Sequence, residues 1–373
     1  MPRLSVIFFV TEDWYFCSHR LPLALAAKEA GYDVAVVTRV RAHGSIIEEA
    51  GIRLIPFDMN RRSLNVFSEL AVIARLTMLY RRERPDLVHH VAIKPVVYGA
   101  IAARLAHVKS VVHAVAGLGW LVSSSSRRAA LLGRVARLLF KKLLSRGSVI
   151  VQNPNDRDWL HNIGVPLPNI TLIRGSGVDV RHFMPQLTPD GPPVVVLVAR
   201  MLWDKGVGEF VNAAGLIHAK GIKARFVLVG APDLENPASI SEKQLYSWHE
   251  EGQVEWWGAQ DDMASILSQI HIACLPSYYG EGVPKSLLEA AAAGLPIVTT
   301  DMPGCREVVN DGQNGVLVPP RDVEALADGL IKLIVNPRAC VEMGEKSREL
   351  AVAEFSTDSV VLETLGLYET MLS

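Results

Sequence analysis

The chain has 373 residues, of which 49% are hydrophobic and 21% are charged, and its formal net charge is −1. This balance excludes a disordered chain, a collagen and a disulfide scaffold, and the length predicts two to three domains. No apolar run approaches the roughly 18 residues of a membrane-spanning helix, and the four cysteines have no CxxC or Cys/His spacing. We therefore expect a cytoplasmic protein without a structural metal.

The near-zero net charge is the sum of two opposite halves. Residues 1–175 carry 24 Lys and Arg against 12 Asp and Glu, a charge of +12, and the remainder carries 14 against 27, a charge of −13. Halves of opposite sign predict two domains with different partners. A basic half favours phosphate groups, nucleic acid or an anionic membrane surface as its partner.

In the first half, short β-branched runs alternate with helical patterns, which predicts βαβ units and a parallel sheet. The predicted strands are Leu4–Val10, Asp33–Thr38, Arg53–Phe57, Leu87–Val91, Ser110–Val115 and Ser148–Val151. The predicted helices are Arg20–Ala30, Leu64–Arg82 and Val96–Ala106. We expect Thr11–Arg20, which contains no glycine, to form the loop after the first strand.

A second series of strands begins after Pro192-Pro193, and the proline-rich segment Gly175–Pro193 predicts the domain boundary. The predicted strands are Val194–Ala199, Arg225–Val229, Val254–Trp257, Ile272–Pro276, Ile297–Thr300 and Val316–Val318. We assign residues 1–175 and 176–357 to two α/β domains with doubly wound sheets, and 358–373 to a terminal helix that packs back on the first domain. Because ligands bind at the carboxyl ends of such strands, we expect the site in a cleft between the domains.

Residues 275–294, LPSYYGEGVPKSLLEAAAAG, carry the main candidate site. Pro284 favours a helix start, where backbone N–H groups can bind an anion and Gly282 lets a phosphate approach the chain. Glu281 and Glu289 lie roughly 12 Å apart along the helix axis, about the span from the hexose to the ribose of a sugar nucleotide. Taken alone, the two glutamates are also consistent with a loop acid and a helix-surface acid.

Two cations precede this segment in VLVARMLWDKG, residues 196–206. Arg200 lies just past a predicted strand end, and Lys205 lies at the start of the next helix. Both could bind a diphosphate and stabilise its charge as it leaves.

The ordered set of these motifs resembles glycosyltransferase family 4. The matching residues are Arg200, Lys205-Gly206, Trp257-Gly258, Pro276-Ser277, Glu281-Gly282, Glu289-Ala290, Gly294-Leu295-Pro296 and Gly315-Val316-Leu317-Val318. More weakly, Gly175-Ser176-Gly177-Val178-Asp179 is similar to the family's interdomain turn. The resemblance implies a GT-B fold of two Rossmann-like domains. It also implies retaining transfer from a nucleotide sugar, without a cofactor or catalytic metal. We expect the transferred sugar to be a hexose or N-acetylhexosamine and the nucleotide to be UDP.

The resemblance also implies roles for individual residues. Arg200 and Lys205 would grip the donor diphosphate, and Glu281 would hold donor-sugar hydroxyls. The backbone of Gly282 and Val283 would meet the phosphate, and Glu289 would bind the ribose. The remaining expected donor-site residues are Ser277, Pro284 and Lys285, with Trp257 and Gly258 bordering the base.

Asp156-Arg157-Asp158 matches the DxD metal motif of other glycosyltransferases. It follows Asn153-Pro154-Asn155 at a predicted helix start, where capping explains it better. We therefore assign it no metal.

Candidate acceptor residues lie in the first domain, at Trp14, His19, Lys94, Gly117 and Gly119. His113 precedes the glycine loop at a strand end. We predict that it orients the acceptor hydroxyl as a catalytic residue, with a purely structural histidine as the alternative. His19 is equally consistent with a capping or packing role.

Residues 127–146 contain seven Lys and Arg and no acid. The basic residues predicted to face a membrane are Arg127, Arg128, Arg134, Arg137, Lys141 and Lys142, with Leu132, Val135, Leu139 and Leu143 at helical spacing. A basic amphipathic helix is typical of anionic membrane surfaces. The alternative is a helix that buries one stripe in its own domain. We expect a polyprenyl-diphosphate-linked or other glycan acceptor at the inner face of the cytoplasmic membrane.

Two other functions remain open from the sequence. A sugar-nucleotide epimerase of similar fold would bind the same donor but would need acid and base groups at the sugar ring. Nucleic-acid binding through the basic half lacks a recognisable motif.

Overall fold

A computed structural model of the chain describes residues 3–59, 65–118, 137–187 and 189–373. The chain divides into two compact units. The N-terminal unit comprises Met1–Ser176 together with Asp358–Ser373, and the C-terminal unit comprises Gly177–Thr357. Each unit has its own parallel sheet, which confirms the predicted α/β class.

The N-terminal sheet contains seven parallel strands in the order β3-β2-β1-β4-β5-β6-β7. Its strands are β1 (Ser5–Glu12), β2 (Asp33–Arg39), β3 (Arg53–Pro56), β4 (Leu87–Val91), β5 (Ser110–Val115), β6 (Ser148–Val151) and β7 (Ile170–Leu172). The order reverses between β1 and β4, which is where doubly wound sheets bind ligands at their carboxyl edge.

The C-terminal sheet contains six parallel strands in the order β10-β9-β8-β11-β12-β13. Its strands are β8 (Val194–Val198), β9 (Arg225–Val229), β10 (Glu255–Trp256), β11 (Ile272–Leu275), β12 (Ile297–Thr300) and β13 (Gly315–Val318). The order reverses between β8 and β11. Apolar residues fill the central strands because helices cover both faces of a parallel sheet.

Helices connect the strands in both units. The α-helices of the N-terminal unit are Asp13–His19, Leu21–Glu29, Gly44–Glu49, Val66–Glu83, Ile93–Ala106, Pro154–Asn162 and Thr357–Leu372, and residues 137–144 are also helical. Those of the C-terminal unit are Val207–Ala219, Glu242–Glu250, Met263–Leu267, Lys285–Ala292, Pro303–Arg306, Val323–Ile334 and Pro337–Glu354. Short 3₁₀ turns span Leu167–Asn169 and Trp203–Lys205.

The terminal helix Thr357–Leu372 packs on the N-terminal sheet. Its Tyr368 is fully buried, and the phenol oxygen lies 2.5 Å from Nδ1 of His89 on β4. Ser110 on β5 donates a hydrogen bond of 2.8 Å to the carbonyl of Met371. The last residues of the chain therefore belong to the hydrophobic core of the first unit.

The prediction of a loop at Thr11–Arg20 is wrong. Residues Asp13–His19 form a helix directly after β1, and Phe16 on this helix is fully buried. The Asp13 carboxylate is also buried and accepts hydrogen bonds from the backbone N–H groups of Arg41 and His43 at 2.6 and 2.9 Å. These tertiary contacts stabilise a short helix that the local sequence pattern does not indicate.

Candidate active site

The predicted donor residues converge at one edge of the C-terminal sheet. Arg200 follows β8, and the segment from Ser277 to Gly282 follows β11, so they flank the point where the strand order reverses. The carboxyl ends of parallel strands meet at the same edge, and the crevice at a reversal is the usual ligand site of a doubly wound sheet.

The Glu281 carboxylate is held through both of its oxygens. Lys205 Nζ donates to Oε2, and Ser277 Oγ donates to Oε1 at 2.5 Å. The side chains of Lys205 and Glu281 are 17% and 16% exposed, so their ion pair is partly shielded from water. A carboxylate anchored in this way is oriented before a ligand arrives.

Ser277 has no exposed surface, so the prediction that it contacts the donor is wrong in this structure. Its hydroxyl lies within hydrogen-bonding distance of Glu281 and also of the Asp204 carbonyl, at 3.1 Å. Its own carbonyl accepts from Thr300 Oγ1 on β12. Ser277 therefore positions Glu281.

The backbone around Lys205 requires glycine at the next position. Gly206 has φ 73°, and a Cβ there would lie 2.1 Å from the carbonyl oxygen of Pro276. The glycine lets the turn that carries Lys205 lie directly against the end of β11. This close approach explains why Lys205 reaches Glu281 although 76 residues separate them.

A helix begins beside this carboxylate. The helix Lys285–Ala292 has Pro284 at its N-cap, and Gly282 and Val283 lead into it as buried residues. The first N–H groups of an α-helix have no partner within the helix and carry partial positive charge. The arrangement suits the anionic ligand that the sequence predicts there.

Glu289 lies one turn into this helix and is 9% exposed. Burial raises the pKa of its carboxyl group, while the positive charges of Lys285 and His182 oppose the rise. Lys285 Nζ lies 3.4 Å from the Glu289 carboxylate. Glu289 is thus a shielded carboxylate close to the start of the helix, and its contact with a donor ribose stays a prediction.

Arg200 is paired inside the C-terminal unit. Its guanidinium donates to the Asp233 carboxylate at 2.7 Å, on the loop that follows β9. The Trp257-Gly258 loop follows β10, and the Gly258 carbonyl accepts from Gly230 N–H at 2.7 Å. The loops after β8, β9 and β10 are therefore tied together at the same edge of the sheet.

Sequence reasoning missed several residues that build this edge. They are Asp204, Asp233, Tyr278, Thr300 and Arg321. The turn chemistry of Asp301-Met302-Pro303-Gly304 predicts a further cleft loop after a strand, but not its close contact with the Glu281 segment. A Cβ on Gly304 would lie 1.7 Å from the Gly282 carbonyl oxygen.

The predicted acceptor residues lie at the carboxyl edge of the N-terminal sheet. Trp14 and His19 belong to the helix after β1, Lys94 to the helix after β4, and Gly117 to the loop after β5. His19 stacks on Tyr15 with ring centroids 4.1 Å apart. Lys94 Nζ lies 3.2 Å from the Glu69 carboxylate. Gly119 lies outside the described residues.

The prediction that His113 contacts an acceptor is wrong in this structure. The residue lies within β5, is 1% exposed, and its Nδ1 lies 3.2 Å from Nδ1 of His90. Burial lowers its pKa to about 3, so the ring is neutral at physiological pH. His113 therefore belongs to a buried group with His90, whose Nε2 lies 3.1 Å from the Tyr80 hydroxyl.

Asp156 is 8% exposed and bonds to Asn153, the N-cap of its helix, at 3.0 Å. Asn153 in turn accepts from the Asp156 N–H at 2.8 Å. Capping therefore accounts for the DxD match. Within the ranges that the structure describes, no three His, Cys, Asp or Glu residues are grouped to hold a metal ion.

The predicted basic helix is described only from residue 137, so Arg127, Arg128 and Arg134 lie outside the described residues. Residues 137–144 bury Phe140 and Leu144 and leave Leu138 and Leu139 exposed by 68% and 44%. Leu139, which belongs to the predicted apolar stripe, is thus exposed and is not buried in its own domain. Arg137, Lys141 and Lys142 are exposed beside the two leucines.

Among the described helices, none is long and apolar enough to cross a bilayer.

Comparison with known protein families now identifies the chain. The model for glycosyl transferases group 1 matches residues 192–336, and the glycosyl transferase 4-like model matches residues 5–153. The chain belongs to these glycosyltransferases. The match to both units agrees with the resemblance of the motifs, and it favours a transferase over an epimerase or a nucleic-acid-binding protein.

Individual relatives and structures agree with this assignment. The chain is 28% identical over 367 residues to the N,N'-diacetylbacillosaminyl-diphospho-undecaprenol alpha-1,3-N-acetylgalactosaminyltransferase of Campylobacter jejuni, covering 95% of each chain. It is 24% identical to the UDP-Gal:alpha-D-GlcNAc-diphosphoundecaprenol alpha-1,3-galactosyltransferase of Escherichia coli, covering 83% of this chain and 82% of that one. Anabaena HepE, solved with UDP and glucose, superposes with a TM-score of 0.80 at 18% identity, covering 98% of this chain and 100% of that one. This structural match confirms the GT-B fold.

Proposed function

We propose that this glycosyltransferase moves a hexose or N-acetylhexosamine from a UDP-sugar to a sugar hydroxyl of a polyprenyl-diphosphate-linked acceptor, with retention at the anomeric carbon. The observation that carries the proposal is the anchored Glu281 carboxylate. It lies beside the start of a helix, at the strand reversal that Arg200 also flanks.

The proposed chemistry depends on stabilising the leaving group. The bond between the anomeric carbon and the diphosphate oxygen breaks, and negative charge develops on the diphosphate. Arg200, Lys205 and the N-terminus of the helix Lys285–Ala292 oppose that charge. Glu281 accepts hydrogen bonds from donor-sugar hydroxyls and fixes the ring.

The acceptor hydroxyl attacks the same face of the sugar that the diphosphate leaves. Its proton passes to the departing phosphate oxygen, whose basicity rises as the bond breaks, and UDP is released. The new glycosidic bond therefore has the configuration of the donor. In this scheme the reaction needs neither a protein base nor a metal ion.

The names of the relatives support the choice of substrates. Those from Campylobacter jejuni and Escherichia coli both name a diphospho-undecaprenol acceptor and an alpha-1,3 linkage, and the second names UDP-Gal as donor. Since UDP-galactose carries an α-linked sugar, an α product retains the configuration. Lipid acceptors lie in a membrane, so the enzyme must reach the bilayer surface.

Two exposed apolar surfaces on the N-terminal unit support peripheral binding to an anionic membrane. The first surface is formed by Leu138 and Leu139 between Arg137, Lys141 and Lys142. The second is a stripe on the helix Val66–Glu83. It comprises Phe67, Leu70, Ala74 and Met78, all exposed, with Arg75, Arg81 and Arg82 also exposed on that helix. Exposed apolar side chains with basic neighbours are typical of interfacial helices.

A thermal-shift panel of UDP-, GDP- and ADP-sugars identifies the donor, because a selective ligand stabilises the folded state in proportion to the logarithm of its concentration. We then expect Glu281→Gln to lose transfer and Arg200→Ala to weaken donor binding. Arg225→Ala is the matched control, since Arg225 also pairs with a carboxylate at 2.7 Å in the same unit. Wild-type turnover in both site variants, or equal loss in the control, would refute the proposed site.

Vesicle flotation tests the membrane proposal. We expect binding to anionic vesicles at low salt and no binding to neutral ones. The triple change Arg137→Gln, Lys141→Gln and Lys142→Gln should weaken binding by about a hundredfold, at about 1 kcal/mol for each charge. Three exposed basic residues of the C-terminal unit, Lys220, Arg338 and Lys346, provide the control. Equal loss in both triples, or no loss in either, would contradict the proposal.

A further inference from the structure

Arg321 has an unusual backbone for its residue type. It lies between β13 and the helix Val323–Ile334, and its φ is 64°. This left-handed conformation is unfavourable for a residue with a side chain and is normally given to glycine or asparagine. Strained conformations persist where the surrounding structure enforces them, and they concentrate at functional sites.

The side chain of Arg321 shows what the strained turn achieves. Its guanidinium carbon lies 4.2 Å from the centroid of the Tyr278 ring. This is a cation–π contact at close range. It joins the β13 edge of the sheet to the segment after β11 that carries Glu281.

Tyr278 is itself fixed at its backbone. Its N–H donates to the Asp204 carbonyl at 3.2 Å, and the hydroxyl of Ser277 reaches the same carbonyl at 3.1 Å. Asp204 immediately precedes Lys205, the partner of Glu281. One side of the segment is therefore tied to the turn that carries Lys205, and Arg321 contacts it from a third element.

We propose that Arg321 is a positioning residue for the transfer reaction. Stacked on Tyr278, it braces the segment 277–281 so that the Glu281 carboxylate keeps its alignment with the donor sugar. Arg321 does not touch the donor in this scheme. The inference rests on the proposed role of Glu281, and nothing in the family motifs includes Arg321 or Tyr278.

The test separates backbone strain from bracing. Arg321→Gly relieves the unfavourable φ and removes the stack. The matched control is Arg84→Gly, because Arg84 is an exposed arginine with φ 47° at a helix end in the other unit. We expect Arg321→Gly to lower kcat about fivefold, the size of one such contact, with donor affinity by calorimetry unchanged. The control should keep wild-type kcat.

Variants of the ring complete the experiment. Tyr278→Phe keeps the ring under the guanidinium and should lower kcat less than Tyr278→Leu, which should lower it as Arg321→Gly does. The double variant should lose no more than either single variant, because both remove one contact. Arg321→Lys, which keeps a cation over the ring, should restore part of the rate. An additive double variant, or a loss of donor affinity in Arg321→Gly, would overturn the proposal.

Hydrogen exchange provides a readout that does not depend on activity. Amides of residues 278–283 should exchange faster in Arg321→Gly than in the wild type, and those of β12 should not change. If exchange responds in this way while the wild-type enzyme transfers no sugar, the brace stands and the proposed function fails. Unchanged exchange together with normal transfer would overturn the brace alone.

Discussion

Replacing Gly304 by alanine probes the packing behind the donor site. Gly304 lies in the short helix Pro303–Arg306 after β12. A Cβ on this residue would lie 1.7 Å from the carbonyl oxygen of Gly282 and 2.8 Å from that of Glu281. Both neighbours are backbone atoms, so no side-chain rotation can relieve the overlap.

The size of the effect follows from these distances. Ordinary Cβ contacts begin near 3.4 Å, so the two groups must separate by about 1.7 Å. Overpacking of this kind costs about 1–3 kcal/mol of the free energy of unfolding. A displacement of about 1 Å in a catalytic geometry can lower the rate about a hundredfold. We therefore expect Gly304→Ala to fold with reduced stability, to bind the donor more weakly and to lose about two orders of magnitude in kcat/KM.

Chemical denaturation and steady-state kinetics check this prediction against Gly215→Ala. Gly215 lies inside the helix Val207–Ala219, and a Cβ there would meet nothing within 4 Å. Alanine in a helix interior is favoured over glycine by about 0.5–1 kcal/mol. The control should therefore gain stability and keep its activity. A Gly304→Ala enzyme with wild-type stability and turnover would refute the close packing of Gly304 on the Glu281 loop.

Three further predictions concern stability. Burial lowers the pKa of His113 to about 3 from 6.5, so the neutral ring takes up a proton on unfolding between these pH values. The free energy of unfolding therefore falls by about 1.4 kcal/mol for each unit by which the pH is lowered through this range. In denaturation at several pH values, His113→Phe should remove this contribution to the slope, and exposed His161→Ala should leave it in place. Burial raises the pKa of Glu289, so ionisation of its carboxyl group lowers the stability of the wild type as the pH rises from 4.5 to the raised pKa. The melting temperature of Glu289→Gln minus that of the wild type should therefore increase over this range and level off above it. A difference that is already as large at pH 3 would contradict this. Arg348 donates to three backbone carbonyls at 2.6–2.8 Å, and Arg348→Lys should cost about 2 kcal/mol in urea unfolding, against about 0.5 kcal/mol or less for exposed Arg338→Lys.

Much of the fold could be predicted because buried parallel strands have a local signature. The strands Leu87–Val91 and Ser148–Val151 begin and end where the sequence predicts. Every residue of both strands is buried, since both faces of the sheet are covered, and these residues are apolar apart from His89, His90 and Ser148. β7, only three residues long, and the helix Asp13–His19 were missed because neither has a periodic pattern of its own.

The order of the site motifs along the chain, and hence the glycosyltransferase family, followed from the sequence. The positions of Glu281 and Glu289 and the spacing between them are read directly from the chain. The groups that each carboxylate contacts cannot be read from it. The same holds for His113, whose position before a glycine loop suggested an exposed site although its strand lies in the middle of the sheet.

The sequence thus determined two α/β units, most of the strands in each and the candidate donor residues. The tertiary structure decided which groups meet: Lys205 with Glu281 across 76 residues, Arg200 with Asp233, and Arg321 with Tyr278. The physical reason is that propensity and periodicity act over a few residues. Contacts at the carboxyl edge of a sheet depend instead on strand order and on close backbone approach at Gly206 and Gly304, which no local pattern specifies.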